Sequence, residues 1–439
     1  MNLRRWLTPG IGVKRWLLVV FAGLLLLAVA GAHFLRQATR DLDPGSLAGR
    51  LVDLLTLQFL PFPLRGLLVG LLGVGLVVLG GYRVMRQVTD PLRAADPDQP
   101  LVEVIYQKRF LARGPRIVTI GGGTGLSALL RGLKEVTSNL TAVVTVADDG
   151  GSSGVLRTEL GIPPVGDLRN CIAALADAEP LMSDLLQYRF PTADEATPGL
   201  AGHAVGNLLL AAMTAIEDGD FEEGVRQLNR ILAVRGQVMP VTATPLTLHA
   251  ECRDGTIVDG QSQIVRTEGI ERVWLTPDDV AASDDALAAI AEAELIVIGP
   301  GSLYTSLLPG LLLPAVREAV LASSATRLYV CNVATQEGET AGFDLAAHVE
   351  ALIAHTAPGL LDVVLANNRF DARVPNDWGA EVVRLRWPPA RGPAPRLVLD
   401  DVVDPDNAHH HDPARLAAAI MRVYERETGV RRRSVSRTA

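Results

Sequence analysis

Between residues 116 and 428, short apolar runs alternate with longer segments that carry apolar positions at helical spacing. The short runs are rich in Val and Ile and do not alternate with polar positions, which is typical of strands covered on both faces. Five strands are predicted, at residues 117–120, 142–147, 295–298, 328–333 and 363–366. Helices are predicted at residues 126–135, 168–176, 204–217, 286–293, 314–322 and 345–355. This order predicts an α/β fold with a doubly wound, mainly parallel sheet.

The pattern changes between residues 238 and 273, where Thr- and Val-rich runs surround two Asp-Gly pairs. Such pairs are typical of the tight turns that join antiparallel strands. The pairs are Asp254-Gly255 and Asp259-Gly260. We therefore expect a small antiparallel insertion.

Two longer apolar runs precede the α/β pattern, at residues 16–35 and 64–82. Each has the length of about 20 residues that crosses a bilayer as a helix. A cleaved signal peptide is disfavoured because a second run follows the first. Lys and Arg flank the pair on both outer sides, which predicts a multi-pass membrane protein with both ends in the cytoplasm. The predicted domains are a membrane hairpin (1–92), a linker (93–115), the α/β domain (116–428) and a disordered basic tail (429–439).

Charge is divided unevenly along the chain. Residues 1–93 carry 11 Lys and Arg against 4 Asp and Glu, and the remainder carries 30 against 45. An α/β domain this acidic is a poor nucleic-acid binder, because affinity for a phosphate backbone needs clustered cations. A bound phosphate would have to be held largely by backbone N–H groups. The three cysteines are far apart in apolar segments, so we expect buried, reduced thiols.

A glycine-dense turn follows the first predicted strand. It comprises Gly121, Gly122, Gly123, Thr124 and Gly125, with Leu126 next. Leu126 occupies the slot that a dinucleotide-binding fingerprint gives to its third glycine. The turn therefore favours a phosphate or pyrophosphate at a helix N-terminus, and a tight turn without a ligand is the alternative.

Two acids, Asp148 and Asp149, follow the second predicted strand. At that edge of the sheet they could hold a divalent cation, contact a ribose or act as a general base, and an ordinary acidic loop is the alternative. Downstream, Arg169 and Asn170 come in the first turn of a predicted helix, where Arg169 is either a ligand-binding cation or a surface residue. Asn207 lies in an apolar helix and needs a partner for its amide, for which a ligand is one candidate.

A second glycine turn follows the strand predicted at residues 295–298. Gly299, Gly301 and Ser302 form it, and Tyr304 comes soon after. We expect a second anion site there, beside an aromatic ring. Asn332 follows the next strand on the same side of the sheet. His409–His411 do not favour a metal site, because adjacent side chains point in different directions.

Six segments in order, "IGGGTGLSALLRGLK", "VTVADDGGSSGVLR", "GDLRNCIAALA", "GHAVGNLLLAAM", "GPGSLYTSLLP" and "CNVATQEGET", resemble the gluconeogenesis factor (YvcK) family of the CofD-like superfamily. The resemblance implies a Rossmann-like fold and a non-catalytic protein that binds UDP-sugars, notably UDP-N-acetylglucosamine. It also implies a link to cell shape, peptidoglycan synthesis and gluconeogenic growth. The CofD branch implies an alternative, a 2-phospho-lactate type transferase in which Asp148 and Asp149 would hold Mg²⁺.

Three hypotheses therefore stand. The first is a UDP-sugar-binding regulator tethered to the bilayer, which could form a homo-oligomer, and the second is the Mg²⁺-dependent transferase. The third is a nicotinamide-dependent oxidoreductase, which the misplaced third glycine disfavours.

Overall fold

The computed structural model describes residues 110–176, 179–191, 199–370, 379–390 and 394–429, together with a few single positions before Phe110. The chain divides into two units, Met1–Arg109 and Phe110–Ala439. The predicted spans, most of the linker and nearly all of the basic tail lie outside the described residues. Among the helices that are described, none is by itself long and apolar enough to cross a bilayer.

Ten strands are described in the second unit. They are β1 (Ile117–Gly121), β2 (Leu140–Val144), β3 (Gln237–Pro240), β4 (Thr247–Cys252), β5 (Ile257–Asp259), β6 (Ile270–Thr276), β7 (Leu295–Ile298), β8 (Thr326–Val330), β9 (Val363–Asn367) and β10 (Arg396–Asp400). Seven form one sheet in the order β10-β9-β8-β7-β1-β2-β3, and every pair in it is parallel. The predicted parallel sheet is confirmed.

The helices connect these strands on both faces of the sheet. They are α1 (Gly123–Leu133), α2 (Gly151–Leu160), α3 (Gly166–Leu175), α4 (Glu179–Gln187), α5 (Val205–Ile216), α6 (Phe221–Ile231), α7 (Gln261–Ile264), α8 (Asp284–Glu292), α9 (Leu308–Leu312), α10 (Pro314–Ala322), α11 (Leu345–His355) and α12 (Pro413–Thr428). A π-helical turn, Leu303–Leu307, precedes α9. Strands β1, β7 and β9 are buried along their whole length, as expected for strands covered on both faces.

The antiparallel insertion is also confirmed, as a separate three-stranded sheet in the order β5-β4-β6. Asp254-Gly255 lies in the turn between β4 and β5, as predicted. Asp259-Gly260 instead leads from β5 into the short helix α7. The first residues predicted for the insertion form β3, which belongs to the edge of the parallel sheet.

Helix α2 was not predicted, because it begins inside the segment "GGSSG", whose residues have low helix propensity. Packing explains one of these glycines, since a Cβ atom on Gly154 would lie 2.1 Å from the carbonyl oxygen of Asp149. Strand β2 begins two residues earlier than predicted and ends three residues earlier than predicted. The segment that carries Asp148 and Asp149 is therefore a connection between β2 and α2.

Candidate functional site

The glycine turns lie where the chain reverses its direction across the sheet. From β1 the chain proceeds to β2 and β3 on one side, whereas from β7 it proceeds to β8, β9 and β10 on the other. Strands β1 and β7 are direct neighbours, so the crevice at their carboxyl ends is a topological switch point. In open α/β sheets such crevices are the usual ligand sites.

The two glycine turns contact each other in this crevice. A Cβ atom on Gly125 would lie 2.8 Å from the carbonyl oxygen of Pro300, and one on Gly301 would lie 3.2 Å from that of Gly122. Gly123 also has a positive φ of 71°. These contacts show that part of the glycine content serves the packing of one turn against the other.

Helix α1 begins in the first turn, and its N-cap residue, Gly122, has no side chain that could cap it. The backbone N–H of Gly123 donates to the Asp167 carboxylate. Thr124 and Gly125 line a cavity of about 200 Å³ between the two turns. Because the first N–H groups of a helix have no partner within it, these residues offer donors to an anion in that cavity.

The cavity has two further walls. Gly301 and Ser302 of the second turn form one wall. The segment from Asn332 to Gln336 forms the other wall together with His409–His411. Among the described residues that line it there is no Asp, Glu, Lys or Arg. Gln336 donates from Nε2 to Ser302 Oγ over 2.8 Å, and its buried Oε1 has no hydrogen-bond partner.

At the second turn, side chains of the protein already occupy two backbone donors. The N–H of Gly301 donates to Asn332 Oδ1 over 3.2 Å, and the N–H of Tyr304 donates to Glu339 Oε2 over 3.0 Å. Glu339 is 2% exposed and also accepts from the Thr305 hydroxyl, and burial raises its pKa. The Glu339 carboxylate therefore occupies the second turn, where sequence analysis predicted a site for a ligand's phosphate.

Tyr304 does not line the cavity. Its side chain is 2% exposed and makes edge contacts with Phe343 and His355, at ring-centroid distances of 6.4 and 5.6 Å. Burial, together with the nearby charge of Glu339, raises its pKa to about 12. The ring expected beside a ligand is part of the core. Gly121 and Leu126 at the first turn are also buried, and so is Gly299 at the second turn.

The adjacent acids Asp148 and Asp149 point to different partners. Asp149 accepts a hydrogen bond from the backbone N–H of Ser262 over 2.8 Å, so it ties the site loop to the start of α7. Asp148 instead faces α3, since its Oδ2 lies 3.0 Å from the position of a Cβ atom on Gly166. The residue that follows Gly166 is Asp167, which completes a carboxylate pair with Asp148.

Asp167 is an acid that the sequence analysis does not single out, because it comes directly before the helix predicted at residues 168–176 and is close to no other acid in the sequence. Burial and then the charge of Asp148 raise its pKa to about 6, against the opposing effects of the Gly123 N–H and Arg169. An acid with a pKa in this range suits proton transfer. The acid pair of the crevice is therefore Asp148 with Asp167, and not Asp148 with Asp149.

Arg169, Asn170 and Asn207 come together behind this acid pair, outside the lining of the cavity. Arg169 is 6% exposed and donates to Asn207 Oδ1 and to Asn170 Oδ1, each over 3.1 Å. Asn207 in turn donates to Ser152 Oγ over 3.0 Å. The Asn207 amide thus has protein partners, and Arg169 is not a surface residue.

A family model described as "2-phospho-L-lactate transferase CofD" matches residues 117–381. A putative gluconeogenesis factor from Nostoc is 42% identical over 433 residues, which cover 96% of this chain and 92% of that protein. The chain belongs to the gluconeogenesis factor family and carries a CofD domain. The match with the Nostoc relative therefore also includes most of the residues before Phe110.

Other members of the gluconeogenesis factor family match a smaller share of the chain. The gluconeogenesis factor of Bacillus subtilis is 50% identical over 259 residues, which cover 59% of this chain and 80% of that protein. A crystal structure of a UPF0052 family protein from Bacillus halodurans superposes with a TM-score of 0.64 at 42% identity. The superposition covers 70% of this chain and 99% of the Bacillus halodurans chain. The Rossmann-like fold that the resemblance implied agrees with this match.

The histidine run of this gluconeogenesis factor family member lies at the cavity wall. His411 is buried with Nε2 3.2 Å from the carbonyl oxygen of Cys331, and burial lowers its pKa to about 4. Among the described residues no group of three or more His, Cys, Asp or Glu side chains is arranged to hold a metal ion. The three cysteines are free and buried, as expected.

Proposed function

We propose that this member of the gluconeogenesis factor family is a non-catalytic regulator that binds a UDP-sugar, UDP-N-acetylglucosamine, at the crevice between β1 and β7. The observation that carries the proposal is the first turn of α1, where Thr124 and Gly125 line a cavity at the switch point of the sheet. We assign the diphosphate to the N–H groups of Thr124 and Gly125. The ligand would link the protein to cell shape, peptidoglycan synthesis and growth on gluconeogenic carbon sources.

The chemistry of the cavity supports a diphosphate held by neutral donors. Its described lining offers backbone N–H groups, the hydroxyl of Ser302 and the amide of Gln336, and it contains no Asp, Glu, Lys or Arg. Its volume of about 200 Å³ lies below the ~300–1,000 Å³ that is usual for whole small-molecule ligands. The cavity therefore suits the diphosphate, and the sugar and the base would extend beyond it.

The proposal includes a tether. The apolar runs at residues 16–35 and 64–82 would anchor the chain as a two-span hairpin, with the α/β domain in the cytoplasm near envelope synthesis. Membrane fractionation followed by protease digestion of sealed inverted vesicles tests this arrangement. Recovery of the full chain in the soluble fraction would contradict it.

Ligand binding can be tested with the purified full-length chain. We would measure the melting temperature with UDP-N-acetylglucosamine, UDP, GDP and NAD in separate titrations. A ligand at 100 times its Kd should add about 2.7 kcal/mol to the free energy of unfolding. A response to NAD alone, or to no nucleotide, would contradict the proposal.

Thr124 gives the sharpest variant pair, because it is exposed at the mouth of the cavity. Thr124→Glu places a carboxylate beside the proposed phosphate position, whereas Thr124→Gln adds the same bulk without charge. We expect the Glu variant to bind UDP-N-acetylglucosamine at least about tenfold more weakly than the Gln variant, since like charges in close contact repel strongly. Equal affinity of the two variants would place the phosphates elsewhere.

One observation favours a second function, that of a Mg²⁺-dependent transferase. The charge of Asp148 acts on Asp167 beside the first turn, and Mg²⁺ is commonly held by one or two carboxylates together with substrate phosphates. When bound, Mg²⁺ would neutralise phosphate charge next to α1. Turnover of a nucleotide-diphosphate-linked substrate that requires Mg²⁺ and is lost in Asp148→Asn would establish this activity.

A further inference from the structure

The parallel sheet ends at two edge strands, β3 and β10, whose outer sides differ. An edge strand presents backbone N–H and C=O groups that can pair with another strand unless the protein blocks them. The N–H of Val241 donates to the carbonyl of Val144 in β2, so the alternation of the ladder directs Val238 and Pro240 outward. The Val238 carbonyl accepts from Asn229 Nδ2 over 2.6 Å, and Pro240 has no N–H to donate. The β3 edge is therefore blocked by the protein itself.

The outer edge of β10 has no such block among the described residues. At the start of this strand, the N–H of Arg396 donates to the carbonyl of Asp362 over 2.9 Å. Alternate residues of a parallel ladder bond to the same neighbour, so Leu397 and Leu399 direct their backbone groups away from β9. Within the part of the chain that the structure describes, no hydrogen bond reaches these outward groups. Strand β10 therefore offers the N–H and C=O groups of both leucines to an added strand.

The sequence of β10, "RLVLD", is complementary to itself when two copies run antiparallel. A pair centred on Val398 places Leu397 opposite Leu399 of the second copy, and Arg396 opposite Asp400 of the second copy. Because the leucines carry the outward backbone groups, each leucine pair exchanges both of its possible hydrogen bonds. Opposite charges directly across a strand pair stabilise it, and this register provides such a pair at each end.

The side chains of β10 remain accessible on both faces of the sheet edge. Arg396 pairs with Glu427 of α12, and its side chain is still 44% exposed. Asp400 pairs with Arg422 of the same helix, and its side chain is still 28% exposed. Each charged group can therefore contact a second ion of opposite sign. Leu399 lies on the opposite face and is 38% exposed, so pairing would also bury apolar surface.

We propose that the outer edge of β10 binds a second copy of this chain, by antiparallel strand pairing about a two-fold axis at Val398. The two seven-stranded sheets then join into one continuous sheet. Two-fold symmetry is the commonest in homo-oligomers and requires a surface that matches itself, as the order of charges in β10 does. Because the axis reverses the strand direction, the two crevices between β1 and β7 open at opposite ends of the joined sheet, and each stays accessible to its ligand.

Disulfide crosslinking of the purified full-length chain tests the register. Val398→Cys places two thiols across the axis in a non-hydrogen-bonded pair, where the Cα atoms lie about 4.5 Å apart and a disulfide can form. Leu399→Cys is the matched control, because its Cα atoms lie roughly 8 Å apart in this register, beyond disulfide range. The native cysteines are buried and do not compete. We expect a covalent dimer from Val398→Cys and little from Leu399→Cys, although position 399 is the more exposed.

Two charge reversals test the pairing of Arg396 with Asp400. Arg396→Asp alone places two acids opposite each other at each end of the interface, and Asp400→Arg alone places two arginines there. We expect each variant alone to dimerise about 10-fold more weakly than the wild type in sedimentation velocity. An equimolar mixture restores opposite charges at both ends and should recover the affinity. The internal pairs with α12 stay broken in the mixture, so recovery cannot come from improved folding.

A third variant pair tests the backbone hydrogen bonds of the interface. Leu399→Pro removes an outward N–H group, whereas Leu399→Ala keeps that group and removes only the side chain. Proline is tolerated on an edge strand where its nitrogen faces outward. Since a symmetric interface loses this hydrogen bond twice, the Pro variant should dimerise about 10- to 100-fold more weakly than the Ala variant.

Several outcomes would overturn this interface. A wild type that stays monomeric at every concentration would leave the edge to an extended segment of a different protein. Crosslinking of Leu399→Cys as efficient as that of Val398→Cys would exclude the register. A mixture of the charge variants that associates no better than either alone, or equal affinity of the Pro and Ala variants, would place the contact between copies elsewhere. None of these measurements requires a nucleotide, so their failure is distinguishable from failure of the proposed function.

Discussion

Replacing Asp167 with Asn should stabilise the protein at neutral pH. The pKa of Asp167 rises from its ordinary value of 3.8 to about 6, because burial and Asp148 disfavour its charged form. At about 1.4 kcal/mol per pKa unit, the ionised carboxylate lowers the free energy of unfolding by up to about 3 kcal/mol. Asparagine keeps an oxygen that can accept from the Gly123 N–H and removes the charge.

The pH dependence of this effect has a definite sign. Between pH 4 and pH 6 the folded protein holds a proton that the unfolded chain has released, so the wild type loses stability as pH rises through this window. The Asp167→Asn variant does not lose stability in this way, because asparagine has no carboxyl group to ionise. The difference between variant and wild type should therefore be near zero at pH 4, grow up to pH 6 and stay constant above it.

Urea denaturation followed by far-UV circular dichroism, repeated at intervals from pH 4 to pH 8, measures this difference. Asp184→Asn, which changes an exposed carboxylate on α4, is the matched control and should show no such growth. A variant that is less stable than the wild type at every pH, or a difference that does not vary with pH, would refute the account of Asp167 as a strained acid.

Two further predictions concern residues that sequence analysis placed at the ligand. Tyr304→Ala should destabilise the fold by about 3–5 kcal/mol, as for other large core aromatics, and a denaturation curve equal to that of the wild type would contradict its burial. Asp149→Ala should remove the hydrogen bond to Ser262 and lower stability by about 1–3 kcal/mol. Hydrogen exchange at the Ser262 amide should accelerate in that variant, and unchanged protection would contradict the link to α7.

The fold was largely predictable because its central strands are apolar on both faces and end at glycines. Strand β7 and helices α10 and α11 match their predicted bounds, and β1 extends the prediction only by Gly121. Helix α2 was missed because its first turn is made of glycine and serine, so tertiary packing outweighs local propensity there.

The site was less predictable, because its partners are distant in sequence. Glu339 accepts a hydrogen bond from the N–H of Tyr304 although the two residues are 35 positions apart in the sequence. No local pattern in the second turn indicates this contact. Asp148 and Asp149 are adjacent in the chain, yet one faces α3 and the other holds α7. Asp167, whose pKa the charge of Asp148 raises, lies in the first turn of α3.

The described lining of the cavity contains no Lys or Arg, and this has a kinetic consequence. Long-range steering of an anionic ligand depends on clustered cations, and the whole chain carries a net charge of −8. Nucleotides would therefore arrive slowly, by unassisted diffusion against a weakly repulsive field, and dissolved salt would speed their arrival by screening that repulsion.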